Sequence, residues 1–522
     1  MRLQNYLSGK WVDGTGDGAA LVDPVSGAKI ARASSDGADI AGALSFGRTQ
    51  GSPALQAMTY VERGAMIRSV ADALSANREA YYKIALENSG NTQNDAAIDI
   101  EGGIFTLKYF ASLGKRLGDA KYLIEPGFDQ LGKDEGFQSG HIWTPISGIS
   151  IHINAFNFPS WGLWEKAAVS WLSGVPVFAK PATSTAMLSH QMVKDVIEAQ
   201  LVPDGALSLI CGGGRELMDL VTGQDAVAFT GSADTAVTLR SNPNVIRANT
   251  RFTVEADSLN LSMLGPDAGP DSDEFGLFVK EIRNEMTIKA GQKCTAIRRI
   301  LVPEAQADAL CDALSASLAK VTLGDPRNEN VRMGPLVNKS QQSAAWEGIK
   351  TLQQEARTII GGTESFDIID ADAEAGSFVP VTLLKCDDPM AAKSVHEIEV
   401  FGPVATILPY KDEAQGFALA AKGGGSLAAS VFTGDDAFAA QAAQALSPSH
   451  GRILVINQAV AQANTGHGNV MPQCVHGGPG RAGGGEELGG ARGMRFYHQR
   501  SAIQASLDRL KTLEEHGAEV TL

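Results

Sequence analysis

A cysteine, a glutamate and an asparagine, each beside an expected turn, are the residues of this chain best suited to covalent chemistry. Cys294 lies in Lys289-Ala290-Gly291-Gln292-Lys293-Cys294-Thr295-Ala296, with a glycine and a lysine before it. A thiol of ordinary pKa, about 8.5, is mostly protonated at neutral pH, so a nucleophilic Cys294 needs positive charge or a base nearby. Glu255, in Phe252-Thr253-Val254-Glu255-Ala256-Asp257-Ser258, ends a β-type run. A carboxylate there can project into a cleft at the carboxyl edge of a sheet, where open α/β folds place their sites. Asn157, in Asn154-Ala155-Phe156-Asn157-Phe158-Pro159, sits on a turn fixed by Pro159, and its amide could donate to a developing oxyanion.

Two further stretches suit a phosphorylated ligand. Lys180 ends the apolar run Val175–Ala179 and is held extended by Pro181, which places a cation for a ribose or its phosphate. Phe229-Thr230-Gly231-Ser232 runs from a strand into a helix start, where backbone N–H groups suit a pyrophosphate. Taken singly, each signal has a commoner structural reading: a core cysteine, a capping acid, an Asx turn, a solvated lysine, a plain helix cap. No GxGxxG fingerprint accompanies them.

The elements that must position these residues alternate between strand and helix. Val61–Ser89 reads as one helix, with Met66, Ile67, Val70 and Leu74 on one face and Gly90 as its stop. Ile149–Ile153, Val175–Ala179, Leu207–Ile210 and Ala226–Thr230 read as strands, at spacings that suit crossovers in a parallel sheet. A second α/β block is expected to begin near Arg251–Val254, with a helix over Phe275–Lys289 and strands at Arg299–Val302 and Ala405–Leu408. The expected division is a dinucleotide-binding domain over 1–130 and 146–254, a catalytic domain over 255–456, and a return to the first domain over 457–494.

Composition narrows the function classes. The 522 residues carry 44 Lys+Arg against 59 Asp+Glu, a net charge of −15, and no basic stripe, so nucleic acid is not an expected partner. Hydrophobic residues at 44% allow a large core. No apolar run approaches the roughly 20 residues of a membrane span, and no signal-peptide pattern opens the chain. Five dispersed cysteines without a CxxC pair make a disulfide framework or a structural zinc site improbable and point to a reducing cytoplasm; no metal is expected.

The order and spacing of the motifs together are more specific than any one of them. Tyr6-Leu7-Ser8-Gly9-Lys10-Trp11-Val12, Asn157-Phe158-Pro159, Lys180-Pro181-Ala182, Phe229-Thr230-Gly231-Ser232, Glu255, Gly291-Gln292-Lys293-Cys294 and Glu399-Val400-Phe401-Gly402-Pro403-Val404 follow one another as in the aldehyde dehydrogenase superfamily. The chain resembles that family along almost its whole length. Asn154–Pro159 and Glu255-Ala256-Asp257-Ser258 are similar to a bacterial branch acting on ring-cleavage semialdehydes bound to coenzyme A; most other members carry Gly-Gly after the glutamate. A hydratase domain, such as follows the dehydrogenase in the phenylacetate-pathway relative, is not expected here.

The resemblance implies an α/β fold of two doubly wound parallel-sheet domains plus a small antiparallel oligomerisation segment, drawn from 131–145 and 495–522. It implies Cys294 as nucleophile, Asn157 as oxyanion donor and Glu255 as the base that hydrolyses a thioester, hence release of a carboxylic acid. It implies cofactor contacts from Lys180, Ala182, Thr183, Ser184, Thr230, Gly231, Ser232, Glu399 and Phe401. NAD-preferring relatives often carry a glutamate where Thr183 stands, so NADP is expected, with NAD as the other candidate. The expected substrate is an aldehyde linked to coenzyme A, such as 3,4-dehydroadipyl-CoA semialdehyde, in aromatic catabolism; a free small semialdehyde is the alternative, and a non-enzymatic use of the fold is disfavoured. A homodimer is expected. Trp143, Trp161 and Trp164 could line an entry for a long ligand, and His467, His476 and Arg481 could meet its phosphates.

Overall fold

The computed structural model describes residues 1–520. Thr59 opens α1 (Tyr60–Ala76) through a capping box, its hydroxyl accepting from Glu62 N–H while the Glu62 carboxylate accepts from Thr59 N–H. Met66, Ile67, Val70 and Leu74 are buried along one face. The single helix expected over Val61–Ser89 is in fact two. Asn77 leaves the helical region at φ −100°, ψ 6°, and α2 (Arg78–Ser89) begins after it. Its side chain bonds Asp195 instead, an instance of a short amide finding partners outside its own helix. Gly90 ends α2 in the left-handed region at φ 64°, as its position predicts. α3 (Gln93–Leu117) packs on α1, with Gly64 so close that a Cβ would lie 2.8 Å from Ala111 O.

Five parallel strands form the core of the first sheet: β1 (Ser150–Ile153), β2 (Val177–Lys180), β3 (Leu207–Leu209), β4 (Ala226–Thr230) and β5 (Arg251–Glu255). Their order is β5-β4-β1-β2-β3, and the hairpin Asn5–Leu7/Lys10–Val12 adds antiparallel at the β3 edge. Ile151, Val177, Phe178, Ala179, Val227 and Ala228 are all buried, as strands covered on both faces must be. Crossovers run through α4 (Trp161–Leu172), α5 (Ala186–Glu198) and α6 (Ala233–Arg240). Strand order reverses between β1 and β4, so their carboxyl ends flank the crevice in which such sheets bind ligands. Arg251–Glu255, expected to open the second block, is the edge strand of this sheet, in register with β4 from Ala226↔Arg251 to Thr230↔Glu255. An apolar run looks the same on either side of a domain boundary.

The second sheet starts at Leu261. Its parallel strands β6 (Leu261–Leu264), β7 (Arg299–Pro303), β8 (Thr382–Lys385), β9 (Val404–Tyr410), β10 (Ser426–Phe432) and β11 (His450–Ile456) take the order β8-β9-β7-β6-β10-β11. Arg357–Ile360 adds antiparallel outside β8. α7 (Asp273–Thr287), capped by Ser272, buries Phe275, Phe278, Ile282 and Met286 against this sheet's core. The two parallel sheets of the expected fold class are therefore both present.

A third, small sheet pairs Phe137–Pro145 antiparallel with His498–Ser506 and takes in Leu123–Ile124, Asp129–Gln130 and Ala518–Glu519. It joins the two segments expected to pair, although Thr521 and Leu522, which end the second, lie outside the described residues. After β11 the chain comes back to β5: Ala256 N–H donates to Ala482 O at 3.0 Å, and Gly485 N–H to Val254 O at 3.2 Å. Here Val475–Gly477 and Glu486–Leu488 form a short hairpin. Among the described residues, no helix is long and apolar enough to cross a membrane.

Candidate functional site

The loop that carries Cys294 is bent by three consecutive left-handed residues. After α7, Lys289 (φ 52°), Ala290 (φ 51°) and Gly291 (φ 69°) turn the chain toward the first domain. For the two with side chains this conformation costs roughly 1–2 kcal/mol each. Surrounding contacts sustain it. Lys289 N–H donates to the Asp95 carboxylate at 2.8 Å, and the Lys289 ammonium lies 4.7 Å from the Phe158 ring centroid. Gly291 has no substitute, because a Cβ would stand 2.3 Å from Gly402 O. The Arg298 guanidinium then donates to Gly291 O (2.9 Å), Lys293 O (3.2 Å) and Gly402 O (2.7 Å). Asn260 Nδ2 donates to Cys294 O at 2.7 Å and Ala296 O at 3.0 Å. Among the described residues the Cys294 backbone N–H has no acceptor.

Glu255, at the carboxyl end of β5, faces this loop. Its Oε2 lies 2.9 Å from His476 Nε2, while Oε1 is buried without a partner. A Glu255 carboxylate oxygen, the Cys294 Sγ and a His476 ring nitrogen all lie within 4.8 Å of one another. Burial pushes the Glu255 carboxyl up, but the charge and hydrogen bond of His476, with Lys166 behind them, outweigh it and hold the pKa at about 2. Burial also pushes the Cys294 thiol well above its ordinary value, and the adjacent Glu255 charge adds to this. Lys293, the basic neighbour that could have opposed the shift, is engaged with Glu285 at 2.6 Å in a buried pair and counts for little at the thiol.

Behind Glu255 lies a buried charge cluster. Lys166 Nζ, on α4, is 3.2 Å from the Glu165 carboxylate and 3.1 Å from that of Glu487 on the short hairpin. His476 and Glu487 are paired across the hairpin. Trp161, Glu165, Lys166, Val470 and His476 line an inner recess that opens onto Cys294 and Asn157.

The outer cavity, about 570 Å³, lies at the carboxyl ends of β1 and β4. Its wall includes Asn157, Lys180, Ala182, Thr230, Gly231, Ser232, Glu255, Cys294, Glu399 and Phe401. Thr183 and Ser184 are not on that wall; they sit in the following turn, Thr183–Thr185, where Thr183 Oγ1 points to Gly212 O at 3.4 Å and Ser184 O accepts from Asn88. The Lys180 ammonium, whose pKa burial pushes down, contacts Pro181 O at 3.4 Å and has no carboxylate partner among the described residues. Ser232 caps α6, accepting from Thr235 N–H, and the Asp257 carboxylate accepts from Ala233 N–H at 3.1 Å. Glu399 accepts from Ser258 N–H at 3.1 Å, and burial pushes its pKa up to about 7. Phe401 meets Phe156 edge-on at 5.6 Å between centroids.

Several residues fall elsewhere than expected. Trp164 is in the core, and Trp143 is in the small antiparallel sheet with its indole N–H on Glu125; of the three tryptophans only Trp161 lines the recess. His467 is buried against Ser430 at 2.9 Å and His476 against Glu255, so neither faces outward for a phosphate, whereas Arg481 does line the outer cavity. Local sequence marks neither the Glu255 contact of His476, which it suggests only for a phosphate, nor the places of Lys166, Glu487 and Arg298. Each is a polar residue in an apolar or glycine-rich stretch, and only a tertiary pairing gives it a role.

A sequence model of the aldehyde dehydrogenase family matches residues 11–503. The chain is 53% identical over 479 residues, 92% of its length and 93% of the relative's, to 3,4-dehydroadipyl-CoA semialdehyde dehydrogenase of Aromatoleum evansii. It is 26% identical to the NADP(+) succinate-semialdehyde dehydrogenase of Escherichia coli, over 79% of this chain and 81% of that one. Among solved structures it matches betaine aldehyde dehydrogenase of Staphylococcus aureus in complex with NAD+, with TM-score 0.82, 23% identity and coverage of 96% and 94%. An NAD+ complex of aldehyde dehydrogenase from Bacillus cereus matches with TM-score 0.82, 20% identity and 97% coverage of both chains.

Proposed function

The chain belongs to the aldehyde dehydrogenase family, and on that premise we propose that it oxidises a coenzyme A-bound semialdehyde to the carboxylic acid. The reaction class rests on one observation: a thiol, a carboxylate and a free side-chain amide meet on one cavity wall where the first sheet's strand order reverses. The substrate class, with 3,4-dehydroadipyl-CoA semialdehyde as its example and aromatic breakdown as its setting, is supported by the Aromatoleum relative.

Each step falls to a residue already placed. Cys294 first loses its thiol proton to solvent in the cavity, and the thiolate then bonds to the aldehyde carbon. The resulting oxyanion is held by the Asn157 side-chain N–H and the Cys294 backbone N–H, which have no competing acceptor among the described residues. A nicotinamide dinucleotide, when bound, supplies the hydride acceptor. The acyl group then remains on Cys294 as a thioester. Glu255 takes a proton from water, the hydroxide adds to the thioester carbon, and the C–S bond breaks to release acid and thiolate. A base at this position favours hydrolysis over transfer to free coenzyme A.

The cavity fits the dinucleotide. Lys180 is a half-buried cation with no carboxylate partner among the described residues, Thr230-Gly231-Ser232 leads into α6, and Glu399 presents a carboxylate for ribose hydroxyls. Anion binding at α6 requires the Asp257 carboxylate to leave Ala233 N–H. NADP is the proposed cofactor, because Thr183 and Ser184 place no negative charge beside Lys180 to repel a 2′-phosphate. Lys180→Ala is expected to raise the KM for NADP by roughly tenfold to a hundredfold, the worth of a charge-assisted hydrogen bond, and that for NAD by less. Initial rates with both cofactors check this, and a lower KM for NAD than for NADP in the unaltered enzyme would contradict it.

A homodimer is the proposed assembly, supported by the edge strand His498–Ser506, whose outer side pairs with no other strand among the described residues. A cytoplasmic setting is supported by five free cysteines.

A further inference from the structure

His476 is a buried imidazole with a fixed mount and one strong partner. Its strand, Val475–Gly477, is pressed between the other arm of its hairpin and β11 so tightly that a Cβ on Gly477 would lie 1.9 Å from Gly485 O, and one on Gly451 1.8 Å from Gly477 O. Gly477 itself is at φ 142°. The ring therefore reaches Glu255 from a backbone with no room to shift. It binds one carboxylate oxygen, Oε2, and leaves the other, Oε1, without a partner in a site that also holds the Cys294 thiol.

We propose that His476 is the positioning residue of the general base: it clamps Oε2 of Glu255 so that Oε1 stays aimed at the acyl-bearing Cys294 and the water that cleaves its thioester. The inference rests on the reading of Glu255 as that base. The proton balance is simple. Water loses a proton to Oε1, the hydroxide forms the new C–O bond, and Cys294 leaves as thiolate, while His476 keeps its own proton on Nε2 throughout. Other titratable groups face the pair: the Cys294 thiol from its loop, Glu165 and Lys166 from α4, Glu487 from the hairpin and Arg452 from β11. Of these, His476 has the largest favourable effect on the Glu255 carboxylate, and its own imidazolium is in turn supported by Glu255 against burial.

The test compares His476→Leu, His476→Gln and Glu255→Gln with the unaltered enzyme, using a six-carbon semialdehyde thioester of coenzyme A and NADP. Single-turnover absorbance reads hydride transfer, and steady-state kcat across pH reads deacylation. His476→Leu is expected to keep the single-turnover burst and to lose steady-state kcat roughly tenfold or more, toward the 10²–10⁴ attached to a general base. Removing a cation raises the carboxyl pKa, so the acid limb of kcat moves to higher pH by about one to three units. His476→Gln, which still donates an N–H but carries no charge, recovers most of the rate and keeps the displaced limb. If His476→Leu deacylates at the original rate with the original limb, or if Gln is as damaged as Leu, the proposal fails. If Glu255→Gln keeps steady-state turnover, the base reading fails as well. Should His476→Leu not fold, as judged by its thermal melt, the glutamine variant decides alone: an unmoved acid limb overturns the proposal and a displaced one with retained rate supports it.

Discussion

Cys294→Ala is expected to lower aldehyde oxidation by roughly 10⁴-fold or more, because loss of a nucleophile removes the whole covalent route. Nothing else in the cavity can replace it: the other four cysteines are either buried in the cores (Cys211, Cys311, Cys386) or exposed on the loop at Cys474. The substitution leaves the proposed cofactor contacts intact, since Lys180, Ser232 and Glu399 make no contact through the thiol. Dinucleotide affinity, measured by quenching of tryptophan fluorescence, should therefore stay within a few-fold of the original while nicotinamide reduction disappears. Retained turnover in Cys294→Ala would remove the thioester from the mechanism.

Glu255→Gln separates the two halves of the reaction. Hydride transfer should still occur once per active site, and steady-state kcat should fall by roughly 10²–10⁴, the usual contribution of a general base. A second effect has the opposite sign. The Glu255 charge helps to hold the Cys294 thiol up, so its removal lets the thiol ionise at lower pH. Alkylation of Cys294 by iodoacetamide should then become faster at neutral pH in the variant that turns over more slowly. Cys474, exposed, supplies the background labelling to subtract, which Cys294→Ala measures. A variant with slower alkylation and unchanged kcat would contradict both parts.

The sequence carries the fold in the parts where burial sets the pattern. β1, β2, β3 and β4 are apolar runs at crossover spacing, and each lies within two residues of its expected start. Where a single polar residue decides, the pattern is silent: Asn77 splits the first helical stretch without a glycine or proline to announce it. Cys294, Glu255 and Asn157 could be found because turns and strand ends mark them locally. The role proposed for His476 could not, since it comes from Glu255, far back in the chain, across a hairpin whose glycines look like a solvated loop. Lys293 shows the converse. Its place beside the thiol suggests activation, yet Glu285, one helix away, takes its charge. Local spacing thus exposes the proposed reacting groups, while the groups that tune them become visible only in three dimensions.

The most direct measurement is nicotinamide reduction, with NADP or NAD supplied, for a six-carbon semialdehyde thioester of coenzyme A against the same semialdehyde without coenzyme A. A kcat/KM at least about a hundredfold higher for the thioester, about 2.7 kcal/mol of added transition-state binding, is the expected result. Equal values would contradict the coenzyme A-bound substrate and leave Cys294, Glu255 and Asn157 serving a free aldehyde.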